Sequence, residues 1–253
     1  MIEIANKRIT RVDQLGPAYT PNDGLGIFDG HEYLVHDCII DLSGVDAVDE
    51  VAAVTWGSSA TFKRCVIRGG CKLFLCGSGD EDKRTVEDGK TVTFTDCILE
   101  DFGRRGPEAQ AGMSVTMHDC LIRNWADPDY FDDRSFGGWA HDEGQLDLYS
   151  CVLWQDKFAR PIGQAWKDFW CHWWQAILDE GPIAIFFPSS YLPGVCRGLM
   201  ASDSGSVSAS HCYSNHWWIR IQCRDGKMGS DEAQELIERL EYMAELLDRE
   251  LPK

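Results

Sequence analysis

The residues best suited to chemistry are a group of cations in an otherwise acidic chain. Across 253 residues, 24 Lys and Arg stand against 41 Asp and Glu, for a formal charge of -17. Between 60 and 105, however, nine basic residues (Lys63, Arg64, Arg68, Lys72, Lys83, Arg84, Lys90, Arg104, Arg105) meet eight acidic ones. Such a window can form a local basic cleft, and cations placed there would hold a carboxylate or stabilise charge developing on one. Arg104 and Arg105 read alternatively as a solvated or salt-bridged loop pair, with Glu108 or Asp101 as partner. Asp37, Asp46, Asp49 and Glu50 form a cluster of carboxylates that reads as a solvated acidic loop or as oxygen donors to a cation. Asp132 and Asp133 read as a loop cap or surface charge rather than a hydrolytic pair. His118, His141, His211 and His216 lack metal-ligand spacing and read as ordinary hydrogen-bonded histidines. The acidic balance disfavours nucleic acid, whose binding rests on Lys and Arg, and repels any polyanion that lacks a bridging cation.

The elements that must position these residues show as a repeat. Alternating apolar residues, a polar residue, Cys and two mostly apolar positions recur as Tyr33-Leu-Val-His-Asp-Cys38, Ala60-Thr-Phe-Lys-Arg-Cys65, Val92-Thr-Phe-Thr-Asp-Cys97 and Val115-Thr-Met-His-Asp-Cys120. Leu146-Asp-Leu-Tyr-Ser-Cys151 and, more weakly, Val207-Ser-Ala-Ser-His-Cys212 continue it. Alternation of period two predicts strands, and Cys spacings of 27, 32, 23 and 31 predict one solenoid turn per copy. The fold class expected is all-β, a right-handed parallel β-helix of about seven turns. Its six aligned cysteines would form an inward ladder of small apolar side chains, which favours core packing over metal binding. The chain has 11 Cys, an odd number, with no secretory-like apolar stretch from Met1 to Val12. Free thiols and a reducing compartment are therefore expected, or else export with the leader absent. With no apolar run near about 20 residues, no membrane span is expected.

Two stretches break the repeat. In 161–182, Trp166, Phe169, Trp170, Trp173, Trp174 and Ile177 recur at helical spacing, which predicts a helical insertion covering the coil. The tryptophans are either core or flat platforms for sugar rings, and Trp125, Trp139, Trp154 and Trp217 lie where they could line a groove. In 230–251, Ser230 is an expected N-cap, Asp231 and Glu232 suit the positive helix end, and Leu236, Leu240, Met243 and Leu247 form one stripe. The organisation expected is a β-helix domain over 1–228 and a C-terminal helix over 229–253 that caps the end of the coil. The alternative for that helix is oligomerisation, and the oligomeric state itself stays open.

The stretch from Cys71 to Trp125 resembles the pectate lyases of polysaccharide lyase family 1. Lys72-Leu-Phe-Leu-Cys-Gly-Ser78, followed by an acidic loop, looks like that family's lysine strand. Gly103-Arg104-Arg105-Gly-Pro107-Glu-Ala-Gln110 resembles its Arg-x-Pro-x-x-Arg segment, and Ser114 to Ile122 the strand after it. The likeness covers about 36–155 and implies β-elimination on an acidic, uronate-containing polysaccharide such as pectate. By residue-wise transfer Arg105 takes the catalytic base position and Lys72 that of the lysine on the substrate carboxylate. Arg104, Gln110 and Arg123 are expected to contact substrate, and Asp49 with Asp37 to hold calcium. Three positions depart from the pattern: Ala53 replaces the second carboxylate after Asp49, His36-Asp37 stand in exchanged order, and Gln110 replaces the segment's last arginine. A different uronide, or a silent β-helix that binds glycan or serves assembly, is the competing expectation. Placed on a loop, Arg105 should be replaceable by Ala with the melting temperature nearly unchanged.

Overall fold

The structure is a computed structural model that describes residues 1–10, 19–20, 24–27, 29–43, 54–70, 72–77, 88–102, 105–125, 136–155, 197–215 and 223–252. Its described strands sort into three sheets of seven, the first two with one strand per turn and the third with one per turn after an opening pair, Tyr19–Thr20 and Gly24–Ile27. The pairings are parallel throughout, apart from the antiparallel Tyr19–Thr20 with Gly24–Ile27 at the start of the third sheet. The architecture is a parallel β-solenoid.

The first sheet carries the alternation legible in the repeat. Tyr33, Ala60, Val92, Val115, Leu146 and Val207 occupy one register position on successive turns. Val35, Phe62, Phe94, Met117 and Leu148 follow two residues on and are fully buried, while the residues between them face out. Trp56, Phe62, Phe74 and Phe94 fill the middle of the coil, with ring centroids 5.0–6.1 Å apart.

The polar residue before each cysteine has a backbone role. Asp37, Arg64, Asp96, Asp119, Ser150 and His211 all sit in the left-handed region, with φ between 50° and 55°, and Asn6 does the same in the first turn. One such residue swings the chain from the first sheet into the second, a conformation that Asn and Asp tolerate best. The corner N–H groups from Asn6 to Ser150 are each satisfied by the next turn, as in Asp37 to the Lys63 carbonyl (3.1 Å) and Asp119 to that of Tyr149 (3.0 Å). The cysteine that follows points inward: Cys38, Cys65, Cys97, Cys120 and Cys151 are 0% exposed and Cys212 is 1% exposed.

Corners between the third sheet and the first use another device. Asp142-Glu143 and Asp203-Ser204 each place two consecutive residues at positive φ. Gly144 and Gly205 donate their N–H groups back to His141 (2.9 Å) and Ser202 (2.8 Å), the geometry of a tight primed turn. A Cβ on Gly144 would stand 2.2 Å from the Ala109 carbonyl oxygen, so only glycine lets neighbouring turns stack there.

The helix α1 spans Ser230–Glu250, with Gly229 rather than Ser230 as N-cap and no side-chain cap bond. Its place corrects the expectation that it caps the coil. Ala233, Leu236, Ile237, Leu240 and Leu247 pack on Ile39, Val66, Ile98, Leu121 and Val152, the outward apolar column of the second sheet. Ion pairs trace its path from the last turn to the first: Glu232 with His211, Glu241 with Arg123, and Asp248 with Arg8. A 21-residue helix is about 30 Å long, close to six rises of about 4.8 Å, so it can cover a face of seven strands. The C-terminal end of the coil is instead crossed by Cys223–Met228, where Arg224 N–H meets the Ala209 carbonyl (3.0 Å) and Met228 N–H that of Cys212 (3.3 Å). Leu240, 1% exposed, should therefore report on docking: Leu240→Ala is expected to lower unfolding free energy by about 2–5 kcal/mol. An unchanged urea midpoint would mean that α1 lies outside the cooperative unit.

The expected helical insertion at 161–182, with its tryptophan row, lies outside the described residues, as do Trp217, His216, Asp132 and Asp133.

Candidate functional site

The third sheet brings the two principal candidates together. Lys72 opens the strand Lys72–Cys76 and Arg105 opens Arg105–Ala109 one turn later, and the two are direct register partners. Their neighbourhood follows from the sequence between them. Gly106 lets the next turn approach, since a Cβ there would lie 2.1 Å from the Gly137 carbonyl oxygen. Pro107 removes one ladder donor from the middle of this strand.

Arg105 is not on a loop. It is 4% exposed, and Glu108, three residues on, is 2% exposed. Nη1 of Arg105 donates to both Glu108 oxygens at 3.4 Å. Oε1 of the same carboxylate stands 2.9 Å from Nε2 of His141, whose Nδ1 faces Asp142 at 3.1 Å. Trp139 contacts both nitrogen-bearing groups. The Arg105 guanidinium lies 4.2 Å from its ring centroid, the His141 ring stacks at 4.1 Å, and its indole N–H donates to Ser202 Oγ at 3.0 Å. Arg105, Glu108, Trp139 and His141 thus form one mostly buried cluster in which a guanidinium and an imidazole share a carboxylate and an aromatic face. Such a set can hold an anion or pass a proton.

Other expected site residues lie elsewhere. Gln110 is 8% exposed and donates from Nε2 to the Gly77 carbonyl at 3.1 Å, so it ties two turns of the third sheet together. Arg123 is on the second sheet beneath α1, which corrects its grouping with the substrate contacts. There it belongs to a column of alternating charge, Asp41, Arg68, Glu100 and Arg123, that pairs turn upon turn. Nε of Arg123 donates to Glu100 (2.7 Å) and Nη1 to Glu241 of the helix (2.5 Å). Burial works against its charge, but Glu100 and Glu241 outweigh burial and hold the guanidinium above its ordinary range.

Asp37 occupies a corner between the first and second sheets. Arg64 grips it through Nε (2.7 Å) and Nη2 (2.6 Å), and His36 Nδ1 adds a contact at 2.6 Å. Its carboxyl is held below the usual range, chiefly by Arg64 against the opposing effect of burial. Asp49 and Arg104 lie outside the described residues. Among the described residues no three His, Cys, Asp or Glu come close enough to hold one metal ion, and Asp37 is engaged by Arg64 and His36. A pH effect follows instead. A carboxyl lowered in the folded state adds stability that is present above about pH 4, the ordinary aspartate value, and is lost as pH falls through the folded value. Asp37→Asn should shrink the acid-side loss in a pH series of urea midpoints, and an unaltered acid limb would dismiss the Arg64 pair as a stabiliser.

The cluster was only partly legible in the sequence. The sequence offers Glu108 as a salt-bridge partner and Trp139 as a groove residue, but nothing local links His141 to either. A signal existed in the third-sheet repeat: Glu108-Ala-Gln, Trp139-Ala-His and Met200-Ala-Ser align, and the structure pairs Ala109, Ala140 and Ala201 in register. That alignment puts Glu108 beside Trp139 and Gln110 beside His141. Comparison with models of known protein families and with curated proteins finds no match to this chain.

Proposed function

We propose that the protein is a pectate lyase-like, right-handed parallel β-helix that cleaves an acidic, uronate-containing polysaccharide by β-elimination at the outer face of its third sheet. The right hand follows from the strong chirality preference of crossovers between parallel strands of one sheet. The observation that supports the reading is the direct pairing of Lys72 with Arg105 on successive turns, the two positions that the resemblance assigns to chemistry. In the reaction a base takes the proton at carbon 5 of the uronate. The freed electron pair forms the double bond to carbon 4, the bond from carbon 4 to the glycosidic oxygen breaks, and that oxygen is protonated from water. Negative charge passes through the substrate carboxylate, where Lys72 would stabilise it. Arg105 as base must first leave Glu108, because a carboxylate at 3.4 Å favours the guanidinium cation. No step is assigned to calcium.

The test is the ultraviolet absorbance of the unsaturated uronide in digests of polygalacturonate, pectin and alginate, with and without calcium. A rise with the natural protein that vanishes in Arg105→Lys is expected, since lysine keeps a cation beside Glu108 but loses the guanidine. Undiminished turnover in that variant would remove Arg105 from the base position. A second reading, glycan binding or assembly without turnover, is favoured by the burial of Arg105 and Glu108. Flat traces on all three substrates with folded protein would select it.

A further inference from the structure

The column of cysteines has a geometry that core packing does not require. Six thiols, from Cys38 to Cys212, occupy one position on six consecutive turns, and none of them is in a disulfide. The main chain fixes their stacking: the carbonyls of Cys38, Cys65, Cys97, Cys120 and Cys151 each accept from the second-sheet N–H of the following turn at 2.9–3.0 Å. Each sulfur sits at its own corner, as in Cys97, whose thiol donates to the Thr95 carbonyl (3.3 Å) and to that of Phe62 one turn below (3.6 Å). A seventh thiol stands beside the last of them. Cys223 lies in the segment that closes the coil, donates to the Cys212 carbonyl at 3.5 Å, and is half-buried where the other six are sealed.

Successive turns rise by about 4.8 Å. A thiolate-to-metal bond is about 2.3 Å, so a cation midway between two stacked sulfurs, with both bonds in line, spans about 4.6 Å. Linear coordination by two soft sulfurs suits a soft monovalent cation, and thiolates select Cu(I) among biological metals. We propose that this column is a binding site for Cu(I), held two-coordinate between thiolates of adjacent turns and entered from Cys223. This needs only two ligands per ion, consistent with the lack of three-ligand clusters among the described residues.

The balance sets how the site fills. One cation between two thiols displaces two protons and leaves one net negative charge, with no oxidant or reductant involved. A further cation on the next sulfur displaces one more proton and adds no charge, because each inner thiolate is shared. A filled run therefore carries a single negative charge whatever its length. The penalty for charge in an apolar core arises once, and loading is cooperative from the exposed end.

Silver(I), which has the same charge and thiol preference and does not change oxidation state here, is the probe. Ag(I) is titrated into the folded protein in anaerobic, chloride-free buffer at neutral pH, and bound ions are counted by native mass spectrometry. Seven stacked thiols offer six gaps, so uptake of up to six ions is expected to appear with few intermediates. Cys97→Ala/Cys120→Ala removes three adjacent gaps and cuts the gap between Cys38 and Cys65 off from the Cys223 end, so uptake should fall to about two ions. Should that variant fail to fold, Cys223→Ser at the half-buried end decides, with the loss of one ion and slower loading. Cys71→Ser/Cys76→Ser/Cys171→Ser/Cys196→Ser leaves the column whole and should bind as the natural protein does. Uptake indifferent to the column variants, or abolished in the last one, overturns the proposal. None of these outcomes depends on lyase activity.

Discussion

Cys97→Asp is expected to leave the protein unfolded at room temperature, the largest stability effect of any single change considered for this fold. The Cys97 side chain is fully buried, with Cys65 and Cys120 on the turns to either side. Its sulfur meets the carbonyl oxygens of Thr95 and Phe62 and lies next to the Cys65 and Cys120 thiols. The carbonyls suit a thiol, which donates. A carboxylate would face those acceptors with only weak thiol donors beside it, and its charge would be buried without a cation, a penalty above about 4 kcal/mol. Typical domains have about 5–15 kcal/mol in total, so little or nothing would remain. Cys97→Ser separates charge from size, because a hydroxyl can donate to the same carbonyls, and it should fold with a modest loss. Circular dichroism and urea titration of both variants are the check. A folded Cys97→Asp protein with an unshifted midpoint would show that this position does not face the core.

The second large effect reverses an expectation drawn from the sequence. Arg105→Ala should lower stability by about 3–5 kcal/mol, the usual consequence of removing one partner from a buried ion pair. For a chain of this size that corresponds to a melting point lower by roughly 6–20 °C. The reason is Glu108, 2% exposed and in contact with both Arg105 and His141. With Arg105 gone, His141 remains, which places the loss towards the lower end of that range. Arg105→Met/Glu108→Leu removes both charges and fills their volume, and should recover most of the loss. If the double variant is as unstable as Arg105→Ala, the carboxylate is not the source. The comparison also protects the activity test: loss of turnover in Arg105→Ala would mix chemistry with unfolding, whereas Arg105→Lys keeps a cation against Glu108.

Much of this architecture is written locally. Alternation within Val92-Thr-Phe-Thr needs only neighbouring residues to specify a strand with one buried face. The single polar residue before each cysteine marks a corner because Asp, Asn and Ser accept the left-handed backbone that the bend demands. Recurrence of that unit implied stacked turns, and the apolar stripe of 233–247 implied a helix with one buried side. What the sequence left open is what lies between distant turns. The third sheet has no cysteine marker, and Arg105-Gly-Pro-Glu-Ala reads as a loop until the coil closes and sets it between Lys72–Cys76 and Phe136–Ala140. Glu108 and His141 are 33 residues apart in the chain and 2.9 Å apart in space, and Arg123 meets Glu241 across 118 residues. The docking of α1 was undetermined for the same reason: its stripe could have covered an end or a side. The second sheet decided it, by turning Ile39, Val66, Ile98, Leu121 and Val152 outward into an apolar column as long as the helix. Periodicity fixes which face of an element is buried, because that depends on bonds along the chain. Which partner covers the face is decided only when all turns stack, because that contact must be the most favourable one available in the whole molecule.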